Sequence, residues 1–422
     1  MERFFSFRPA ARTAAAAIFC SAFSISYAQS FLGLSLLFAL LESWRAKDRD
    51  RISDPIPTIF MAGFALFAWL IANWLIHYFF LSSTFRNLVR GETGDIFLCI
   101  AGLNVFYLTR DPDNRRIIYR GFLSFAVLVI ISGAASAFTE HRLARWIYGK
   151  GFLSHSETRT QHLFTVIHDF AIYRPIGLLN TRLTYAGQLI LILPFVFLEA
   201  GQKRKHRWIW IGLLLTGCAV LLINGTRSAI LGLGFAGLIY LFQMLKNYSS
   251  ITGYGFLVSA GVLILLGVWM NPEFLAGRQT DFQRPILWTG SFELFLNNWI
   301  LGTGPGAFGN ATLAWRESYA LQHPTIWYYL LSTPSGHAHN DLLHLLAVGG
   351  IPAGLCFIAI MVRAPGSNNR NAAIISLGLI AFFVAGIAQC YFQDDEVVII
   401  FWSLAGFASR LDLDRGTGSS VD

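Results

Sequence analysis

The sequence predicts an all-α, polytopic membrane protein built as a single integral membrane domain over residues 1–422, and two observations predict it. Hydrophobic residues make up 55% of the chain against 13% charged, with a mean hydropathy of +0.52, which an ordinary soluble domain does not reach. Stretches such as Trp208 to Ile223, Ile230 to Leu245 and Phe256 to Met270 are apolar on every face, as a helix in hydrocarbon must be. A transmembrane barrel would instead show short alternating segments.

Taken in order, the apolar runs place about twelve helices at roughly 12–28, 30–44, 56–81, 94–109, 117–139, 176–199, 208–224, 228–245, 253–271, 341–362, 372–391 and 396–409. Arg3, Arg8 and Arg12 precede the first run, as in a signal peptide, but a clean cleavage site is lacking and equally hydrophobic spans follow. The first run therefore reads as a retained helix. With the N-terminus in the cytoplasm, the basic clusters at Arg45 to Arg51, Arg110 to Arg120, Lys203 to Arg207 and Arg363 to Arg370 all fall on the inner side. This predicts a bacterial inner-membrane protein with both termini cytoplasmic.

Among the cations left for the outer side, Lys150 is the lone lysine and the rest are arginine. Arginine stays protonated and forks onto phosphate, whereas lysine offers a point charge. Two outer connections are long, at about 140–175 and 272–340, and loops of that size are usually functional. Within the second, Trp288 to Asn297 and Ala311 to Tyr319 carry apolar residues at helical spacing.

Some function classes are excluded at this stage. Despite a pI near 9.4, the basic residues are scattered over loops, so nucleic acid is not a partner. Cys20, Cys99, Cys218, Cys356 and Cys390 all lie in apolar segments without C-x-x-C spacing, which argues against a disulfide framework or a zinc site. No internal repeat is visible. A transporter would be expected to show midplane charges and paired halves, and neither is seen.

The residues able to carry chemistry gather between Arg284 and Gly350. Arg284 precedes a proline and Trp288; a glycine cluster runs from Gly302 to Gly309; the cassette His337-Ala-His339-Asn340-Asp341 opens the next span. Arg227 sits between two spans at the outer surface, and Arg174 and Arg182 flank the mouth of the sixth span. Each arginine reads either as an interfacial anchor or as a cation for a phosphate-bearing ligand. The glycine cluster lacks the strand of a nucleotide fold, so it is a turn, a close backbone approach or an amide nest for an anion. With His323 and His344 near His337 and His339, a metal site is conceivable, but no H-E-x-x-H is present and acids are few. A general base is the better reading, because imidazole titrates near neutral pH. Asp394, Asp395 and Glu396 form a turn or neutralise an arginine.

These residues resemble the O-antigen ligase and polymerase superfamily of bacterial inner-membrane glycosyltransferases. The matching elements are Arg174-Pro-x-Gly177 leading to Tyr185-Ala-Gly-Gln188 and Pro194, Thr226-Arg227-Ser228, Arg284-x-x-x-Trp288, Gly302-x-Gly304-x-Gly306-x-Phe308, and His337-x-His339-Asn340-x-x-Leu343 leading to Gly349 and Gly354. Many members carry a Glu two residues before a glycine downstream of the His-Asn pair, where this chain has Ala347-Val348-Gly349. The resemblance implies transfer of a glycan from undecaprenyl pyrophosphate at the periplasmic face, with neither nucleotide sugar nor required metal and no cofactor. On that chemistry the cations at hand, Arg227 and Arg284 with Arg182 and Arg174, are the candidate substrate-binding residues for the pyrophosphate, and His339, with His337 beside it, is the candidate catalytic base. Within the superfamily, the length and the dominant second outer loop look more like the ligase that joins O-antigen to lipid A-core, with the O-antigen polymerase as the alternative.

Overall fold

The computed structural model describes residues 8–46, 54–81, 84–144, 161–202, 206–249, 252, 283–333, 336–364 and 369–416. The expected span 253–271, the start of the second long loop and the cations Lys203, Arg204 and Lys205 lie outside the described residues.

Apolar runs become helices because a helix satisfies its own backbone hydrogen bonds in a medium that offers none. In chain order these are α1 (Pro9–Cys20), α2 (Ile25–Ala46), α3 (Thr58–Phe80), α4 (Phe85–Arg90), α5 (Glu92–Ile96), α6 (Cys99–Leu108), α7 (Pro112–Ser136), α8 (Arg182–Gly201), α9 (Arg207–Asn224) and α10 (Arg227–Tyr248). They continue as α11 (Gln283–Asn297), α12 (Phe308–Gln322), α13 (Trp327–Ser332), α14 (Asp341–Arg363), α15 (Arg370–Gly386) and α16 (Asp395–Gly416). Seven of the described helices are long and apolar enough to cross a membrane: α2, α3, α7, α8, α9, α10 and α14.

Two expected spans are broken. The run at 12–28 divides after Cys20, where the Ser21 hydroxyl bonds back to the Ile18 carbonyl at 2.6 Å and competes with helix continuation. The run at 94–109 divides at Phe97 and Leu98 between α5 and α6. Helices α11 and α12 cover the two segments of the second loop expected to be helical.

Among the described residues, one element departs from all-α. Residues Leu163–Ile167 (β1) and Phe170–Tyr173 (β2) pair antiparallel in the first long loop, turning through His168 and Asp169, both with positive φ. The hairpin hangs from the end of α7, since the Tyr173 amide donates to the Ala137 carbonyl at 2.8 Å and the Arg174 amide to the His162 carbonyl at 2.8 Å.

Helix α8 is the centre of the bundle. Of its most apolar window 89% is buried, against 22% for α9 and for α10, so those two present most of their surface outward. Helices pack close where glycine removes a side chain, as at Gly232 of α10 against Ala381 of α15 and Gly378 of α15 against Leu191 of α8. An aromatic layer of Phe382, Phe392, Phe401 and Trp402 fills the space between α15 and α16, with the Phe382 and Phe401 rings 4.8 Å apart.

The helix ends sort into two groups. At one end, Arg8 pairs with Asp111 and Asp113, Arg115 with Asp414, and Arg410 with Asp54 at 2.6 Å and Asp414 at 2.7 Å. The other end gathers the C-termini of α7, α9 and α15 with the N-termini of α8, α10, α14 and α16. There Thr184 bonds Asp394 at 2.6 Å, Asn224 bonds the Arg182 carbonyl at 3.1 Å, and Asn340 bonds the Ile387 carbonyl at 2.9 Å. This second end holds the candidate residues.

Candidate active site

The cassette is built by the start of α14. Asn340 caps that helix, its Oδ1 accepting from the Leu343 amide at 2.9 Å while its Nδ2 donates to Ile387. Asp341 is buried, and its Oδ1 accepts from the Phe392 amide at 2.9 Å, which ties the connection after α15 to the head of α14. Just before them the chain turns sharply at His339, whose φ of +51° is rare for a side-chain-bearing residue and marks a position held by its surroundings. The rings of His337 and His339 meet edge to face, 4.7 Å apart.

That tie places Gln389 against His339. The imidazole Nδ1–H donates to Gln389 Oε1 at 2.9 Å, and Gln389 is itself buried. With Nδ1 protonated, Nε2 keeps its lone pair, so the bond selects the tautomer in which Nε2 is the nitrogen that accepts a proton. From α11, Trp288 Nε1 reaches the His339 carbonyl at 3.4 Å. Arg284 lies one turn earlier on the same face, and its charge reaches His339 and Tyr391.

Electrostatics act on both imidazoles. Burial pushes His337 down from 6.5 to about 4, with the neighbouring His339 and His344 adding to the effect. His339 is also lowered, by burial first, while the Gln389 bond pulls it upward and Arg284 pushes it down. Both are therefore neutral at physiological pH, and the Gln389 bond gives His339 an upward pull that suits it to accept a proton.

The remaining arginines meet around Asn224. Its Nδ2 donates to the Pro175 carbonyl at 2.6 Å and to that of Arg182, and its Oδ1 accepts from Thr226 Oγ1 at 2.5 Å, which draws Arg174, Arg182 and Arg227 to the same helix end. Arg174 is buried, and its guanidinium packs on Gly225, where an added Cβ would lie 3.2 Å from Nη1. Arg182, Arg227 and Arg284 are half-buried. Ser228, next to Arg227, lies against Tyr391, linking this group to the side of the site that holds Arg284.

The glycine cluster has a different job from anion binding. The amides of Thr303 and Gly304 donate to the Ala347 and Val348 carbonyls at 2.8 and 2.9 Å, and Gly306 donates to Glu92 Oε2 at 2.8 Å. Gly302, Gly304 and Gly306 all have positive φ, and a Cβ at Gly304 would strike the His77 ring. An amide nest is thus replaced by a close backbone approach. At Gly350, with φ of +67°, α14 kinks and lets the Ile351 amide bond the Trp299 carbonyl at 2.9 Å. Ala347 and Val348, where many superfamily members carry Glu nearby, are fully buried beneath this loop.

Other matched residues serve packing. Tyr185 and Gln188 are buried in α8, bonding the Val129 carbonyl at 3.0 Å and the Ser21 carbonyl at 2.7 Å. Asp394 accepts from Thr184 and its carbonyl opens α16 by accepting from the Val397 and Val398 amides, which is a turn role. Among the described residues no group of three or more His, Cys, Asp or Glu is placed to hold a metal ion.

Three residues escaped the sequence reading. Gln389 looked like the polar end of a span, although an amide in an apolar run is itself a signal. Glu92 lies in a short connection, and in the sequence His344 stands out only as a conceivable metal ligand. Comparison with curated proteins finds no match to the chain. Residues 211–358 match the family described as O-antigen ligase, a segment that includes Arg227, Arg284, His337 and His339. The chain is therefore similar to the O-antigen ligase family over residues 211–358, the segment that carries both imidazoles of the cassette and two of the four arginines.

Proposed function

We propose that the chain is a glycosyltransferase of the inner membrane that moves O-antigen polysaccharide from undecaprenyl pyrophosphate to a sugar hydroxyl of lipid A-core at the periplasmic face. The observation that carries this reading is the Gln389 to His339 bond, which leaves Nε2 as a proton acceptor within reach of the charge of Arg284. In the reaction, Nε2 of His339 takes the proton of the acceptor hydroxyl as its oxygen attacks the anomeric carbon. The bond from that carbon to the pyrophosphate oxygen breaks, and the electron pair leaves with undecaprenyl pyrophosphate. Arg227 and Arg284 meet the leaving phosphates as bidentate forks, with Arg174 and Arg182 supporting them. A single displacement inverts the anomeric centre and calls for no metal. Membrane lipids surround the enzyme, and its active site lies outside the hydrocarbon.

Purified chain in lipid nanodiscs, supplied with donor and acceptor in chelator, tests the assignment. His339→Ala should bind donor and fail at transfer, and full turnover by that variant removes the proposed base. The lipopolysaccharide of a deletion strain separates ligase from polymerase: core without any polymer indicates the ligase, and core bearing a single repeat unit indicates the polymerase.

A further inference from the structure

A buried pair stands behind the cassette and is absent from the mechanism above. His344, fully buried one turn into α14, places Nε2 3.0 Å from Glu92 Oε1, and Glu92 is 7% exposed. The other carboxylate oxygen accepts from the Gly306 amide at 2.8 Å. On the far side of the ring, Nδ1 accepts from the Ala338 amide at 3.4 Å, and Ala338 lies between His337 and His339. The Phe308 ring covers the imidazole at 4.4 Å. One imidazole thus touches α5, α12 and the turn at Ala338, and reaches the glycine loop through Glu92.

The donors and acceptors admit one arrangement. A backbone N–H can only donate, so Nδ1 of His344 carries the lone pair and Nε2 carries the hydrogen given to Glu92. Glu92 must accept at both oxygens, from His344 and from Gly306. A carboxylate meets both demands, whereas an amide meets one and turns the other into two donors face to face. Burial makes such a mismatch costly.

We infer that Glu92 and His344 are positioning residues for transfer, a buried relay that fixes the backbone between His337 and His339 and locks it to the glycine loop. The inference rests on the proposed function, because it assigns the pair through the base it holds. His339 takes up a left-handed backbone that few residues adopt, so something must hold it there, and the Ala338 amide is the nearest point of control. Displacement of a catalytic group by about 1 Å can cost about a hundredfold in rate.

Two substitutions at His344 divide the relay. In His344→Asn the amide oxygen falls near the Nδ1 position and still accepts from Ala338, while the contact with Glu92 is lost. In His344→Gln the amide nitrogen falls near Nε2 and still serves Glu92, while Ala338 loses its acceptor. The full chain in nanodiscs is assayed for kcat, KM for the lipid-linked donor and thermal unfolding, alongside Glu92→Gln and His339→Ala. For His344→Gln and Glu92→Gln we expect kcat to fall about tenfold to a hundredfold with KM within twofold, while His344→Asn keeps the larger share of turnover. Hydrogen exchange over residues 336–345 should quicken in the first two variants, a readout that does not depend on turnover. If His339→Ala is inactive while His344→Gln and Glu92→Gln turn over and exchange like wild type, the relay is refuted and the base stands. Equal kcat losses in His344→Gln and His344→Asn that track lost folding refute it as well. If His339→Ala turns over fully, the functional reading falls and the relay falls with it.

Discussion

Replacing Gln389 with leucine removes the acceptor of the His339 Nδ1–H and leaves the shape of the site nearly unchanged. Gln389 is 3% exposed and its bond to His339 is 2.9 Å long, so the lost partner is not replaced by bulk water. A buried hydrogen bond of this kind is worth about 1–3 kcal/mol. At about 1.4 kcal/mol per tenfold, the rate should fall about fivefold to 150-fold as the ring samples the wrong tautomer and loses its orientation. The pH dependence supplies the sign. As the proposed base His339 must be neutral, and burial holds its pKa below the ordinary 6.5, so wild-type activity should be lost only as pH drops through that lowered value. The Gln389 bond pulls the pKa up, and its removal should move the acid limb to lower pH while the plateau drops. Gln389→Glu should do the opposite, keeping an acceptor and adding a negative charge that moves the acid limb to higher pH. Single-turnover transfer over roughly pH 5 to 9 reads both effects. A leucine variant with wild-type rates across that range, or acid limbs that move the other way, would refute the tautomer argument.

Arg227→Lys and Arg284→Lys should each lose most transfer activity despite the retained charge, because a point charge does not reproduce the fork; wild-type rates in both would reduce them to surface charges. Arg284→Gln should additionally raise the acid limb, since its charge pushes the His339 pKa down. Gly350→Ala should lower the unfolding temperature, as this positive-φ, extended-ψ backbone costs a side-chain-bearing residue about 1–3 kcal/mol and the added Cβ meets the Ile300 carbonyl; an unchanged melting curve would contradict the kink. A cysteine at Ala320 should react with an impermeant thiol reagent from the periplasm and one at Ser367 should not, and labelling of both from one side would overturn the orientation drawn from the charge asymmetry.

The hydrophobic pattern alone determined much of this protein. Long apolar runs can only be helices in hydrocarbon, so α3, α7, α9, α10 and α14 were legible to within a few residues. The hairpin at 163–173 was hidden because its short runs are too brief for a hydropathy scan, although aromatic and β-branched residues around His168 and Asp169 are a hairpin signal. The candidates His337, His339, Arg227 and Arg284 are proposed from residue type and position, since cations and imidazoles at membrane boundaries are costly unless used. Their partners could not be proposed that way. Gln389 lies 50 residues from His339, and Glu92 lies 252 residues from His344, and periodicity carries no information about which helix ends meet. Nor could spacing show that the glycine amides are bonded to α14 and Glu92 instead of facing an anion. Tautomer, backbone strain at His339 and the lowered basicity of the two histidines arise from burial and contact, so the packing of the helices decided them.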